Sequence, residues 1–152
     1  MLSFIVDTNI IFSALYNKEG LERIVLNLIL GNNDIQLFAP EIYRVEISKN
    51  LKKKLDFDKE MIISILSDFD IIEVPYEEYK VKILQAKKLI VHQNDIPYIA
   101  VALLLNSPIW SGNERHFKHL KNSKEIVWFS SRKLFNYLTE KGFFKEKKDR
   151  EI

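Results

Sequence analysis

The chain has 152 residues, 47% of them hydrophobic and 29% charged, and its 23 basic and 21 acidic side chains leave a formal charge of +2. About 100–200 residues make one domain, so two full-sized domains are excluded, and abundant apolar residues with nearly cancelling charge exclude a disordered chain. The absence of cysteine excludes a disulfide framework, a thiolate zinc site and a cysteine nucleophile, leaving oxygen and imidazole as the available metal donors.

In chain order, the apolar run Leu2–Val6 reads as a central strand, and Asp7-Thr8-Asn9 behind it opens a helix over Ile10–Tyr16. Leu21, Ile24, Val25, Leu28 and Ile29 recur at helical spacing before a second strand at Ile35–Phe38. Glu41–Asn50 follows as a helix, Met61, Ile62, Ile65, Leu66 and Phe69 mark another, and Ile71–Val74 is a third strand. Tyr76–Val91 and Ile96–Leu105 supply two more helices. Short strands are expected at Pro108–Ser111 and Ile126–Phe129, ahead of the aromatic segment Phe135–Phe144. Strands alternating with helices predict an α/β fold, three layers α/β/α around a central five-stranded parallel sheet. A single folded unit is expected over residues 1–144, with a solvated charged tail at 145–152. The opening Met1–Asp7 lacks a basic, long-apolar signal segment and no run reaches a membrane span, so a cytoplasmic, non-membrane protein is expected.

Ligands of such sheets collect at the carboxyl ends of the strands, where Asp7 falls. Glu46 is a second candidate. At 100° per residue, Ile42, Tyr43, Val45 and Ile47 average to an apolar direction near 50°, and Glu46 lies at about 40°. A carboxylate in the middle of a buried stripe is costly unless a cation or metal compensates it. Asp95 stands at the amino end of the apolar helix Ile96–Leu105, with Pro97 in its first turn. Structural alternatives are plain: Asp7 and Asp95 as helix caps, and Glu46 rolled outward to pair with Lys49 or Lys53. Ser111, Asn113 and Glu114 close the short fourth strand, and Arg115, His116, Lys118, His119 and Lys121 crowd the next turns as a phosphate-facing rim or an ordinary solvated face.

Asp7-Thr8-Asn9 after the first strand, Glu46 in the helix after the second, Asn94-Asp95-x-Pro97-Tyr98-x-Ala-x-Ala-Leu, and Ile109-Trp-Ser-Gly-Asn113 with its basic-aromatic turn together resemble the PIN-domain nucleases, including VapC-type toxins. The resemblance spans residues 2 to about 130 and implies a PIN-like parallel sheet flanked by helices and a metal-dependent nuclease that cuts single-stranded RNA. Asp7, Glu46 and Asp95 fall where the family's principal metal-binding acids lie, with Thr8, Asn9 and Ser111 as supporting polar groups. Asn113 departs from the pattern, which commonly places a fourth aspartate there; its amide brings no negative charge, Glu114 is the adjacent substitute, and His116 stands where some relatives carry a further acid.

The leading reading is an Mg²⁺- or Mn²⁺-dependent endoribonuclease in which the carboxylates hold a cation that acidifies the attacking water, with Asp7, Glu46, Asp95 and Asn113 as the catalytic set. Lys49, Lys52, Lys53, Lys54, Arg115, His116, Lys118 and Lys121 are the candidates for contact with the RNA backbone. An antitoxin protein and a second copy of the chain are the expected protein partners, with the Leu21–Leu30, Tyr76–Val91 and Phe135–Phe144 segments as candidate surfaces. One rival is a PIN-like scaffold that binds RNA or protein without cutting, because of Asn113. Another is an aspartyl-phosphate hydrolase with Asp7 as nucleophile, against which position 9 is Asn rather than Asp. No glycine-rich phosphate loop occurs.

Overall fold

Strand β1 (Leu2–Val6) is apolar but for Ser3 and is flanked on both sides. Its register sets Leu2 against Ile35 of β2 (Ile35–Pro40) and Val6 against Trp110 of β4 (Ile109–Trp110). With β3 (Ile71–Val74) and β5 (Trp128–Phe129) the sheet runs β3-β2-β1-β4-β5, parallel throughout. The five-stranded parallel α/β fold expected from the sequence is present. This is a computed structural model that describes residues 1–120 and 122–144; the charged tail at 145–152 and the candidate Lys121 lie outside the described residues.

Helices α1 (Thr8–Tyr16), α2 (Leu21–Leu30), α3 (Ile42–Leu55) and α4 (Lys59–Asp68) precede β3. The single helix expected over Tyr76–Val91 is instead α5 (Tyr76–Tyr79), a 3₁₀ turn at Lys80–Lys82 and α6 (Ile83–Leu89). The tighter winding turns Tyr79 and Ala86 into the core while Val81 and Leu84 stay outside. Helix α7 (Ile96–Leu105) is apolar on nearly every side, and residues Ile96 and Tyr98–Ala102 are all buried. Asn106, at φ 49°, ends it in the left-handed conformation and returns the chain to β4. A short helix α8 (Glu114–Phe117) and a 3₁₀ turn (Lys118–Leu120) follow.

Both late strands are shorter than the apolar runs that announced them, two residues each, although Val127 O ahead of β5 still accepts from the Ile109 N–H at 2.9 Å. Helix α9 (Ser131–Glu140) is capped by Ser130, and its Leu134 and Leu138 join Phe144 in the core. Much of the aromatic segment therefore packs within the chain. Among the described residues, no helix is long and apolar enough to cross a membrane.

Candidate active site

After β1 the chain builds β2 and β3 on one side and then returns to place β4 and β5 on the other. The carboxyl ends of β1 and β4 therefore flank the point where strand order reverses, the place where parallel sheets open a crevice. Asp7 sits directly there: its N–H donates to Trp110 O at 3.0 Å, so the β1–β4 ladder runs up to the acid. It is only 4% exposed. Ser111 Oγ donates to Asp7 Oδ2 at 2.7 Å, Thr8 Oγ1 to Oδ1 at 3.3 Å, and the Asn9 N–H to Oδ1 at 3.4 Å. Asp7 is thus both the cap of α1 and a buried carboxylate facing the crevice.

Asp95 ends a 3₁₀ turn (Gln93–Asp95) and makes no side-chain cap to α7, so the simple capping alternative fails for it. Its Oδ2 instead lies 2.7 Å from His116 Nδ1, beyond β4. The His116 ring is in turn stacked on His92, centroids 3.6 Å apart and planes 18° from parallel.

Glu46 arrives by a different route from the one its helical angle suggested. The buried stripe of α3 is Tyr43, Ile47 and Leu51, whereas Ile42 and Val45 are exposed at 42% and 67%. Counting the last two as core placed the apolar direction too close to Glu46. The helix is rolled, and Glu46 reaches the crevice half-buried from the flank of the stripe. There Tyr98 Oη donates to Glu46 Oε1 at 2.9 Å and lies 3.4 Å from Thr8 Oγ1. Glu41, by contrast, turns away and accepts from the Tyr76 N–H at 3.0 Å, tying α3 to α5.

These elements enclose a cleft of about 600 Å³ lined by Asp7, Glu46, Asp95 and Asn113, with Thr8, Asn9, Lys49, Lys53, Lys54 and His116 around them. Burial pushes the carboxyl pKa of Asp7, Glu46 and Asp95 upward. Asp7 is raised further by the charge of Asp95, and Glu46 by both other acids, against the lowering effect of the Ser111 and Tyr98 hydroxyls. For Asp95 the opposing influence is His116. The three acids share one hollow and feel one another, yet among the described residues no three acidic or imidazole side chains are already gathered around a single point. Each carboxylate has turned to its own partner, Ser111, Tyr98 or His116, which relieves like-charge repulsion. A divalent cation fits this donor set: three carboxylates line one cleft, and Asp95 Oδ2, closed to solvent, has only His116 Nδ1 beside it at 2.7 Å, without an aligned hydrogen bond.

The sequence profile of the PIN domain matches residues 5–126. The chain belongs to the PIN domain family. No curated protein sequence matches it. Among solved structures it is similar to DNA-bound VapBC from Salmonella typhimurium, at 19% identity over 86% of this chain and 99% of that chain, with a TM-score of 0.66. VapBC-1 from nontypeable Haemophilus influenzae matches at 19% identity over 87% and 100%, TM-score 0.61. VapBC2 from Rickettsia felis, bound to a DNA fragment from its promoter, matches at 22% over 85% and 98%, TM-score 0.58. At such identities the likeness is one of fold.

In this PIN domain the remaining candidates divide. Ser111 is fully buried behind the cleft, where it braces Asp7 and accepts from the Asn113 N–H at 3.1 Å. Lys49 and Lys53 line the cleft; Glu114, Arg115 and Lys118 are exposed and are not among its lining residues, and Lys52 faces a separate groove between α3 and α4 with Lys59. Tyr98 and His92 carried no role in the sequence reading. Tyr98 could have been found as a hydroxyl, three residues beyond Asp95, on a helix otherwise without polar groups, which must find a partner when buried. Nothing local in the sequence marks His92 as the platform for His116.

Proposed function

We propose that this PIN domain is a divalent-metal-dependent endoribonuclease acting on single-stranded RNA, with Asp7, Glu46 and Asp95 as the metal-holding acids and Asn113 as a neutral fourth position. The observation that carries the reading is the delivery of three carboxylates, from residues 7, 46 and 95, into one cleft with Lys49, Lys53 and Lys54 on its wall. Mg²⁺ and Mn²⁺ suit such oxygen donors. When bound, the ion supplies Lewis acidity that activates water and neutralises charge on the scissile phosphate.

The chain's own groups prepare the site. Ser111 and Thr8 fix the rotamer of Asp7, Tyr98 holds Glu46 toward the cleft, and the α7 entrance presents Asp95. The lysines attract the phosphate backbone, a contact that reads little sequence and weakens with salt. Asn113 lines the cleft without adding charge. The VapBC folds support a further reading of this chain as the cytoplasmic toxin of a toxin–antitoxin pair, with an antitoxin protein and a second copy of itself as partners.

Purified Asp7→Asn, Glu46→Gln and Asp95→Asn should each lose Mg²⁺- or Mn²⁺-dependent cleavage of single-stranded RNA while keeping a native circular dichroism spectrum. Undiminished cleavage by all three overturns the assignment. Wild-type protein that binds such RNA but cuts it at no concentration of either ion would favour the scaffold reading, for which the uncharged Asn113 is the motive.

A further inference from the structure

The Asp95–His116 contact is the least explained feature of the cleft. Asp95 Oδ2 and His116 Nδ1 stand 2.7 Å apart, both closed to solvent, yet neither makes an aligned hydrogen bond with the other or with any described residue. An imidazole N–H aimed at a carboxylate would be aligned at that distance. Their separation is instead close to the roughly 3 Å between adjacent donors on one ion with bonds of about 2.1 Å. His92 stacks on the face of the ring, and the backbone of His116 is set by a turn in which its main-chain N–H donates to Asn113 O at 3.0 Å while the Asn113 N–H donates to Ser111 Oγ at 3.1 Å. Position 113 meanwhile offers an amide where a charged donor would strengthen the site.

We propose that His116 Nδ1 is itself a metal ligand beside Asp95 Oδ2, and that this nitrogen gives the cleft a preference for a first-row transition ion over Mg²⁺. The inference rests on the metal-binding reading above and deepens it. Imidazole nitrogen is a poor donor for Mg²⁺ and a better one for transition ions, whereas carboxylates serve both. His92 then acts as a positioning residue that fixes the plane of the His116 ring.

The test uses Mn²⁺ as probe on the full chain. Electron spin echo envelope modulation of the Mn²⁺-loaded wild type should show a directly coordinated ¹⁴N, lost in His116→Ala and retained in His92→Ala. Calorimetry should show His116→Ala lowering Mn²⁺ affinity by about tenfold or more and Mg²⁺ affinity by less than about threefold. Mn²⁺ bound without nitrogen modulation in the wild type, or equal losses for both ions in a folded His116→Ala, overturns the inference and leaves the nuclease reading standing. Binding of neither ion by the wild type overturns both.

Discussion

Tyr98→Phe removes one oxygen atom from the cleft and little else, because the ring itself is 1% exposed and fully packed. The lost bonds are the 2.9 Å contact to Glu46 Oε1, which dominates, and the longer 3.4 Å contact to Thr8 Oγ1. A hydrogen bond to an ionised group contributes about 1.5–3 kcal/mol, and the half-buried position of Glu46 discounts this to about 1–2 kcal/mol. For a domain of this length that corresponds to a fall in Tm of about 2–8 °C. The pH dependence follows from the direction of the Glu46 shift. Burial raises its pKa above the ordinary 4.5, while the Tyr98 hydroxyl pulls the other way by favouring the charged form. Ionising Glu46 therefore costs stability as pH rises through its folded pKa, and Tyr98 offsets part of that cost. The gap between wild type and Tyr98→Phe should be smallest below pH 4.5 and widen as pH rises through the raised pKa. Urea denaturation in a metal chelator, run with Glu46→Gln as the second arm of a double-mutant cycle, measures it. A cost for Tyr98→Phe that is the same in the Glu46→Gln background and flat with pH would refute the coupling.

Other perturbations probe other parts of the cleft. In chelator, Asp7→Asn should be more heat-stable than wild type at neutral pH, since the raised pKa of Asp7 means that stability is lost as pH rises through it; the advantage should close on descending below the ordinary value of 3.8. Scanning calorimetry across that range checks the sign, and an advantage that grows toward acid would contradict it. Ser111→Ala deletes a buried 2.7 Å bond to the same carboxylate and should cost about 1.5–3 kcal/mol in urea titration, less when combined with Asp7→Asn. Lys49→Ala and Lys53→Ala should each weaken single-stranded RNA binding and shallow the salt slope by about 0.7, with smaller effects from Arg115→Ala and Lys118→Ala. Equal losses at all four positions would mean that the RNA path is not the cleft wall.

Much of this arrangement is written locally in the chain. An apolar strand followed by an acid, and an all-apolar helix with an acid at its entrance, place Asp7 and Asp95 by rules that need only neighbouring residues. Glu46 required more, because the roll of α3 depends on which of Ile42, Tyr43, Val45 and Ile47 finds a neighbour, and hydrophobicity alone does not distinguish an apolar side chain that packs from one left outside. The break between α5 and α6 was hidden for the same reason: Val81 and Leu84 carry helical periodicity without burial. His116 looked like part of a basic rim because its partner lies 21 residues earlier, and only the pairing of β1 with β4 brings the two sides of the cleft face to face.

The neighbouring positions of β1 and β4 also give the protein a timetable. Asp7 leaves the ribosome early, but Ser111 and His116 emerge about a hundred residues later, and β1 cannot gain its second neighbour before Trp110 is synthesised. Domains fold as they are made, and non-local parallel pairings come late. A nascent polypeptide thus carries Asp7, Glu46 and Asp95 through most of translation before the β4 side of their cleft exists.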